Sequence, residues 1–259
     1  MSRKGLKWSR DETILAFDLY CRTSFGKISQ SNPDIIELAK ILGRTPGAVG
    51  LKMHNLAHYD PELQRRNVTA MSHGSKLDAE IYSEFSSNWT ELTYQAQLIK
   101  ARMQNNEIQE NIDVGDIDMI PPGEYREYLM KTRIGQYFFR MSVLNAYSNR
   151  CCVTGFSKSD LLVASHIKPW RVSDDRTEKT NPSNGLCLNS LHDKAFDRGL
   201  VTITQDFRIL ISKSMKNVEM DERTRDWFMS YNYQPIYLPD KFLPAKKFIE
   251  YHNDMIFQG

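Results

Sequence analysis

The spacing of apolar residues changes once along this chain, and that change constrains the fold more than any other feature. Up to residue 148, apolar positions recur mostly at helical intervals. Ile14, Leu15, Phe17 and Leu19 form one stripe, and Ile35, Ile36, Leu38, Ala39 and Leu42 a second. A third stripe is Tyr128, Leu129, Ile134, Tyr137, Phe138, Met141, Leu144 and Tyr147. After Cys152 the apolar runs shorten to strand length. Leu161-Leu162-Val163-Ala164 reads as a buried strand, and Val201–Thr204 and Arg208–Ile211 flank Gln205-Asp206-Phe207 as a hairpin. The expected class is therefore α+β, with a mainly helical N-terminal region and a mixed C-terminal one.

Local signals place the helices. Ser9 and Glu12, three apart, have the form of a capping box for the first helix. Asn32-Pro33-Asp34 opens a second helix, which Gly43 ends, and Thr45-Pro46 caps a third from Gly47 to about Leu56. Residues 75–105 read as one long polar helix, and residues 106–123 as an acidic linker ending in Pro121-Pro122-Gly123. Further helices are expected over 124–148, from Leu188 to Arg198, near 221–231 and near 244–256. The resulting organisation is 1–66, a helix-turn-helix-like recognition domain; 67–123, a helical and acidic linker; and 124–259, the mixed domain with C-terminal helices.

Composition narrows the class. Hydrophobic residues are 41% and charged residues 25%, which excludes a disordered chain. No run of about 18 apolar residues is present, so no membrane span is expected. Met1–Trp8 lacks the apolar core of a signal peptide, and four cysteines are too few for a disulfide scaffold. A cytoplasmic, reduced setting is the expectation. Net charge is only +2, but it is segregated. Residues 1–66 carry 11 Lys/Arg against 7 Asp/Glu, 67–130 carry 4 against 11, 131–216 carry 14 against 7, and 217–259 carry 5 against 7. Two basic segments separated by an acidic one suit two surfaces that face a polyanion.

The chemistry concentrates in residues 150–204. Ser165-His166-Ile167-Lys168-Pro169-Trp170 is followed by Asn181-Pro182-Ser183-Asn184-Gly185-Leu186, then by His192-Asp193-Lys194-Ala195-Phe196-Asp197-Arg198-Gly199. A His on a strand, an Asn eighteen residues later and a His eight further on resemble the motif of the HNH nucleases. The flanks Cys152-Val153-Thr154-Gly155 and Phe196-Asp197-Arg198-Gly199 resemble the branch associated with restriction enzymes. The resemblance covers roughly residues 124–212 and implies a ββα-metal fold, a two-stranded ribbon on a helix with one divalent ion. It implies His166 as general base, Asn184 as the residue that holds the imidazole or its strand, and His192 as metal ligand. Many family members carry Asp where this chain has Ser165, which makes Ser165 a weaker ligand, and Asp193 and Asp197 are the acidic residues able to compensate. The Asn-to-His spacing is one residue shorter than the commonest pattern, so either His192 or Asp193 takes the ligand position. The expected ion is Mg²⁺ or Mn²⁺. No Cys-x-x-Cys is present, so no structural zinc is expected, and Cys152 and Cys187 read as small core residues.

Trp8, the helix after it, and Leu38–Val49 resemble Myb-type or sigma-type helix-turn-helix units. That resemblance implies Arg44, Thr45, Lys52, His54 and Asn55 as DNA-facing residues. In the C-terminal region Lys168, Arg171 and Lys194 are the candidate phosphate contacts. The function expected is a site-specific restriction-type endonuclease acting on double-stranded DNA. A homodimer on a two-fold site and a cognate methyltransferase are its expected partners. A DNA-binding regulator with an inactive nuclease fold and a nicking or modified-DNA-specific nuclease are the alternatives.

Overall fold

The computed structural model describes residues 6–65, 74–105 and 123–259. They fall into two compact units. The first comprises residues 1–142 with 175–181, and the second comprises 143–174 with 182–259. The expected acidic linker, 106–123, lies outside the described residues except at its last position.

The first unit is helical. α1 (Arg10–Arg22) starts at the expected capping box: the Ser9 hydroxyl accepts from Glu12 N–H, and the Glu12 carboxylate accepts from Ser9 N–H at 2.8 Å. α2 (Pro33–Leu42) is capped by Asn32 and ends at Gly43, whose φ of 64° is the left-handed turn that glycine adopts without strain. α3 (Pro46–Ala57) is capped by Thr45, and a short α4 (Pro61–Arg65) follows. The stretch expected as one long helix is two, α5 (Lys76–Phe85) and α6 (Trp89–Gln104). Ser86-Ser87-Asn88 interrupts it, and the Asn88 side chain caps α6 by accepting from Glu91 N–H. These two helices are part of the first unit's core and not a connector: Phe17 of α1 meets Tyr82 at 5.1 Å and Trp89 at 6.0 Å between ring centres. α7 (Glu124–Ala146), whose last four residues belong to the second unit, buries Ile134, Phe138 and Leu144 as its stripe predicts. Tyr128 and Tyr137 are exposed instead.

The second unit holds the strands. β1 (Leu162–His166) pairs antiparallel with β2 (Gly185–Asn189), His166 opposite Gly185. α8 (Ser190–Asp197) follows β2 directly. Leu188 and Asn189, expected to open this helix, are strand residues, and Asn189 is its cap. The hairpin is β3 (Val201–Ile203) and β4 (Ile209–Ile211). The tail forms α9 (Lys213–Lys216), α10 (Glu222–Met229) and α11 (Lys246–Met255). Cys152 and Cys187 are fully buried, with Cys152 N–H donating to Cys187 O at 2.7 Å. A core clamp joins α11 to α8: His252 stacks on Phe196 at 3.8 Å, and its Nε2 lies 3.1 Å from the Phe196 carbonyl. Among the described residues no helix is long and apolar enough to cross a membrane.

Candidate functional site

A ribbon followed without a loop by a helix brings the end of β1 beside the first turns of α8. Between them lies an open cleft of about 1000 Å³, lined by Ser165 and His166 from β1 and by Asp193, Lys194, Asp197 and Arg198 from α8. Trp170 and Arg171 line it from the turn after β1, and Tyr251, Met255, Ile256 and Gln258 from α11 and its end. Asp193 and Asp197 are four apart on the helix and therefore share one face.

His166 is half-buried, with the Trp170 ring edge-on at 5.5 Å. Asn184 is fully buried immediately before β2. Its side-chain oxygen accepts from Lys168 N–H at 2.8 Å, its amide donates to Lys168 O at 3.1 Å, and its backbone oxygen accepts from Ile167 N–H at 2.9 Å. Asn184 thus holds the backbone of the two residues that follow His166, and its amide lies 3.4 Å from the Ser173 hydroxyl. Ser173 reinforces the turn, donating toward Lys168 O and Pro169 O at 3.1 and 3.0 Å.

The two carboxyls resist ionisation. Burial raises the Asp193 pKa, opposed by the nearby Ser165 hydroxyl and by Lys194. Burial likewise raises that of Asp197, the Asp193 charge adds to the shift, and Lys194 and Arg198 oppose it. The Ser165 hydroxyl is buried and makes no well-formed hydrogen bond among the described residues. Two carboxyls that repel each other beside a buried hydroxyl are a donor set that a hard divalent cation suits, with water and substrate oxygens completing its shell. Among the described residues no cluster of three or more His, Cys, Asp or Glu is gathered as a ready-made cage.

His192 sits elsewhere. Its ring is buried, lies parallel to Phe228 at 5.1 Å, and meets Trp227 and Tyr231 edge-on. Its Nδ1 lies 3.2 Å from the Asn189 side-chain oxygen, and burial lowers its pKa to about 4. It is not among the residues that line the cleft. Of the basic candidates, Arg171 and Lys194 line the cleft, whereas the Lys168 ammonium lies over the Tyr251 ring at 5.3 Å.

Residues 151–204 match the family described as HNH endonuclease. This segment is an HNH endonuclease domain. No curated protein matches the chain. Among solved structures, a modification-dependent TagI restriction endonuclease is similar at 18% identity and a TM-score of 0.33. That alignment covers 46% of this chain and 37% of the other, so the chain spans well under half of that protein's length.

Around the HNH domain, sequence reasoning missed the wall built by Tyr251, Met255, Ile256 and Gln258. The only signal for it is Gly199, which closes the His192–Gly199 run. Gly199 has φ 67°, and a Cβ there would lie 2.0 Å from the Ile256 carbonyl oxygen. Its own oxygen accepts from Gln258 N–H at 2.9 Å. The glycine is what lets the chain after α11 approach the end of α8.

In the first unit, two expected DNA contacts are corrected. Arg44 is turned inward, bonded to Glu12 at 2.8 and 3.1 Å and to the carbonyls of Leu6 and Lys7, with its guanidinium 4.3 Å from the Trp8 ring centre. Lys52 is buried against Asp78 at 2.5 Å and also lies over Trp8. A buried, paired cation is not presented to a phosphate or a base edge. The Thr45 hydroxyl caps α3, His54 Nδ1 lies 2.8 Å from Gly50 O, and Asn55 is half-buried.

Proposed function

We propose that the chain is a site-specific, divalent-metal-dependent DNA endonuclease of restriction type in which His166 is the general base. The observation that carries this reading is the single cleft that gathers His166, Ser165, Asp193 and Asp197 with Arg171 and Lys194. His166 takes the proton of the attacking water on an imidazole nitrogen, a general-base task suited to a neutral imidazole. Asn184 fixes the backbone that follows it. Arg171, Lys194 and Arg198 hold the phosphate chain by charge-assisted hydrogen bonds. Asp193 and Asp197, with Ser165, would hold Mg²⁺ or Mn²⁺. Bound there, the ion supplies Lewis-acid stabilisation of charge developing on the phosphate oxygens. Between His192 and Asp193, the cleft lining favours Asp193, because the His192 ring is committed to Phe228.

One cleft per chain cuts one strand, so symmetric double-strand cleavage calls for a homodimer on a two-fold site, with a methyltransferase protecting the same site. Thr45, His54 and Asn55 remain the first unit's candidate contacts to DNA. A second reading is a DNA-binding regulator, favoured by Ser165 where many relatives carry an acid.

The test is digestion of unmodified and modified plasmid DNA with Mg²⁺, with Mn²⁺ and with EDTA, alongside His166→Ala. Discrete metal-dependent fragments that disappear in the variant support the nuclease reading. DNA that is bound equally with EDTA or Mg²⁺ and left intact selects the regulator. Cleavage retained by His166→Ala removes the base assignment.

A further inference from the structure

We propose that Thr90, Gly135 and Thr180 of the first unit are positioning residues for His166: they seat the tip of a loop whose two ends clasp the backbone that follows it. The proposal rests on the nuclease reading for what His166 does, and on the loop's own geometry for how it is held. Residues 175–181 lie between His166 and Asn184 in the chain and belong to the first unit, whereas 143–174 and 182–259 belong to the second.

The two ends of the loop converge on one residue. Ser173, just before the excursion, donates to Lys168 O at 3.1 Å and to Pro169 O at 3.0 Å. Asn184, just after it, accepts from Lys168 N–H at 2.8 Å and donates to Lys168 O at 3.1 Å. The Asn184 amide also lies 3.4 Å from the Ser173 hydroxyl, and its backbone oxygen accepts from Ile167 N–H at 2.9 Å. The neck of the loop is thus a clasp on the two residues after His166. Asp175 is two residues from Ser173, and Asn181 is three from Asn184. Such short links reach at most about 7 and 11 Å, so little slack separates a shift of the tip from the neck.

The tip is braced within itself and has a fitted seat. Lys179 pairs with Asp175, the Asn181 amide donates to Thr177 O at 3.2 Å, and Asn181 N–H donates to Glu178 O at 3.3 Å. Thr180 is 2% exposed. Thr90, in the first turn of α6, donates to Asp175 O at 3.3 Å. The proton between the Thr90 and Thr180 hydroxyls, 2.8 Å apart, is therefore that of Thr180. The other wall is α7, at a glycine in the middle of the helix, where glycine is a poor helix former. A Cβ on Gly135 would lie 2.7 Å from Thr180 Cγ2, well inside the 3.5–4.0 Å or so at which carbon atoms pack. Methyl and hydroxyl share one stiff Cβ, so Thr180 cannot swing the methyl aside without withdrawing its hydroxyl from Thr90. Gly135 gives Thr180 its space, and Thr90 gives it its direction.

The experiment uses the full chain and measures Mg²⁺-dependent DNA cleavage, DNA affinity in EDTA and unfolding temperature. The variants are Gly135→Ala, the double variant Gly135→Ala with Thr180→Ser, and Thr180→Val. Alanine is the better helix former, so Gly135→Ala spares α7 and acts on the loop. It is expected to lower kcat at least about tenfold, with KM and affinity in EDTA within about twofold, since about 1 Å of misplacement can cost a hundredfold. Thr180→Ser removes the methyl that the new Cβ strikes and keeps the hydroxyl, so the double variant recovers most of the rate. Thr180→Val keeps the shape, loses the bond to Thr90 and lowers kcat severalfold, which carries the test if Gly135→Ala fails to fold. Wild-type kcat in a folded Gly135→Ala or in Thr180→Val overturns the proposal, and so does a double variant as slow as the single one. The ¹³C-labelled His166 ring, assigned by the peak missing from His166→Ala, is followed by NMR on the same samples. Its signal is expected to move in Gly135→Ala and to return in the double variant. A signal that stays in place overturns the proposal whether or not the chain cleaves DNA. A signal that moves and returns in a chain whose wild type cleaves nothing removes the nuclease reading and leaves the positioning of His166.

Discussion

A methyl group on residue 199 has nowhere to go. It would meet a carbonyl oxygen at 2.0 Å in a backbone conformation that non-glycine residues adopt only with strain. Gly199→Ala is expected to cost several kcal/mol, on the order of the largest single-residue effects. Thermal unfolding of the variant measures the loss, and residual activity shows whether the α11 wall of the cleft is displaced. Asn184 makes the complementary case. Asn184→Ala removes the acceptor of the Lys168 N–H, a loss of about 1–3 kcal/mol, while the Lys168 carbonyl keeps the Ser173 hydroxyl. The expected signature is a fall in kcat of at least about tenfold with KM for DNA little changed, since a 1.4 kcal/mol rise in the barrier is already tenfold. A KM change alone would mean that Asn184 serves DNA binding and not the placement of His166. The motif residues were legible from their types and order. What the string of letters does not carry is the partner: Ile256 lies far along the chain from Gly199, and no local spacing links them.

At the scale of elements, the helix caps, β1 and the β3–β4 hairpin were legible, whereas β2 and the buried charges were not. Ser9, Asn32 and Thr45 announce three helix starts because a short polar side chain before an apolar stripe does one local job. The break at Asn88 had the same signal, overridden by a long polar stretch that reads equally well as one helix. Tyr128 and Tyr137 kept the helical period yet face outward, because an amphipathic ring tolerates water. Arg44 and Lys52 read as a basic recognition face, since their acidic partners, Glu12 and Asp78, lie 32 and 26 residues away. Lys52 and Asp78 pin α3 to α5. Asp78→Ala strands a buried ammonium, and the expected destabilisation is about 3–5 kcal/mol, read from denaturant unfolding. A loss under about 1 kcal/mol would place the pair in contact with water.

The whole molecule carries a pH signature away from the cleft. His252 is buried, with burial lowering its pKa to about 4 and the Phe196 carbonyl opposing that shift. The neutral ring with its proton on Nε2 donates to Phe196 O, and its Nδ1 lies 2.8 Å from the Thr202 hydroxyl, which donates to the Asn253 side-chain oxygen at 2.6 Å. The folded chain therefore binds fewer protons than the unfolded chain between the ordinary value of 6.5 and about 4. Stability contributed by this residue is complete above about pH 6.5 and is lost as pH falls toward 4, by about 1.4 kcal/mol per pH unit and about 3 kcal/mol in all. Denaturation midpoints from pH 7 to pH 4 measure it, and His252→Gln is expected to flatten the slope by that amount.

The boundary between the units has a practical meaning. The chain passes from one unit to the other at 142/143, again at 174/175 and again at 181/182, so the stretch between His166 and Asn184 leaves the second unit and returns. Within the first unit that excursion is anchored by the Thr180 hydroxyl, 2.8 Å from that of Thr90. A single cut therefore cannot yield a graftable nuclease cassette. A fragment starting at residue 143 would carry seven residues stripped of their packing between His166 and Asn184, and a swap of such modules between proteins would have to exchange both units together or rebuild that excursion.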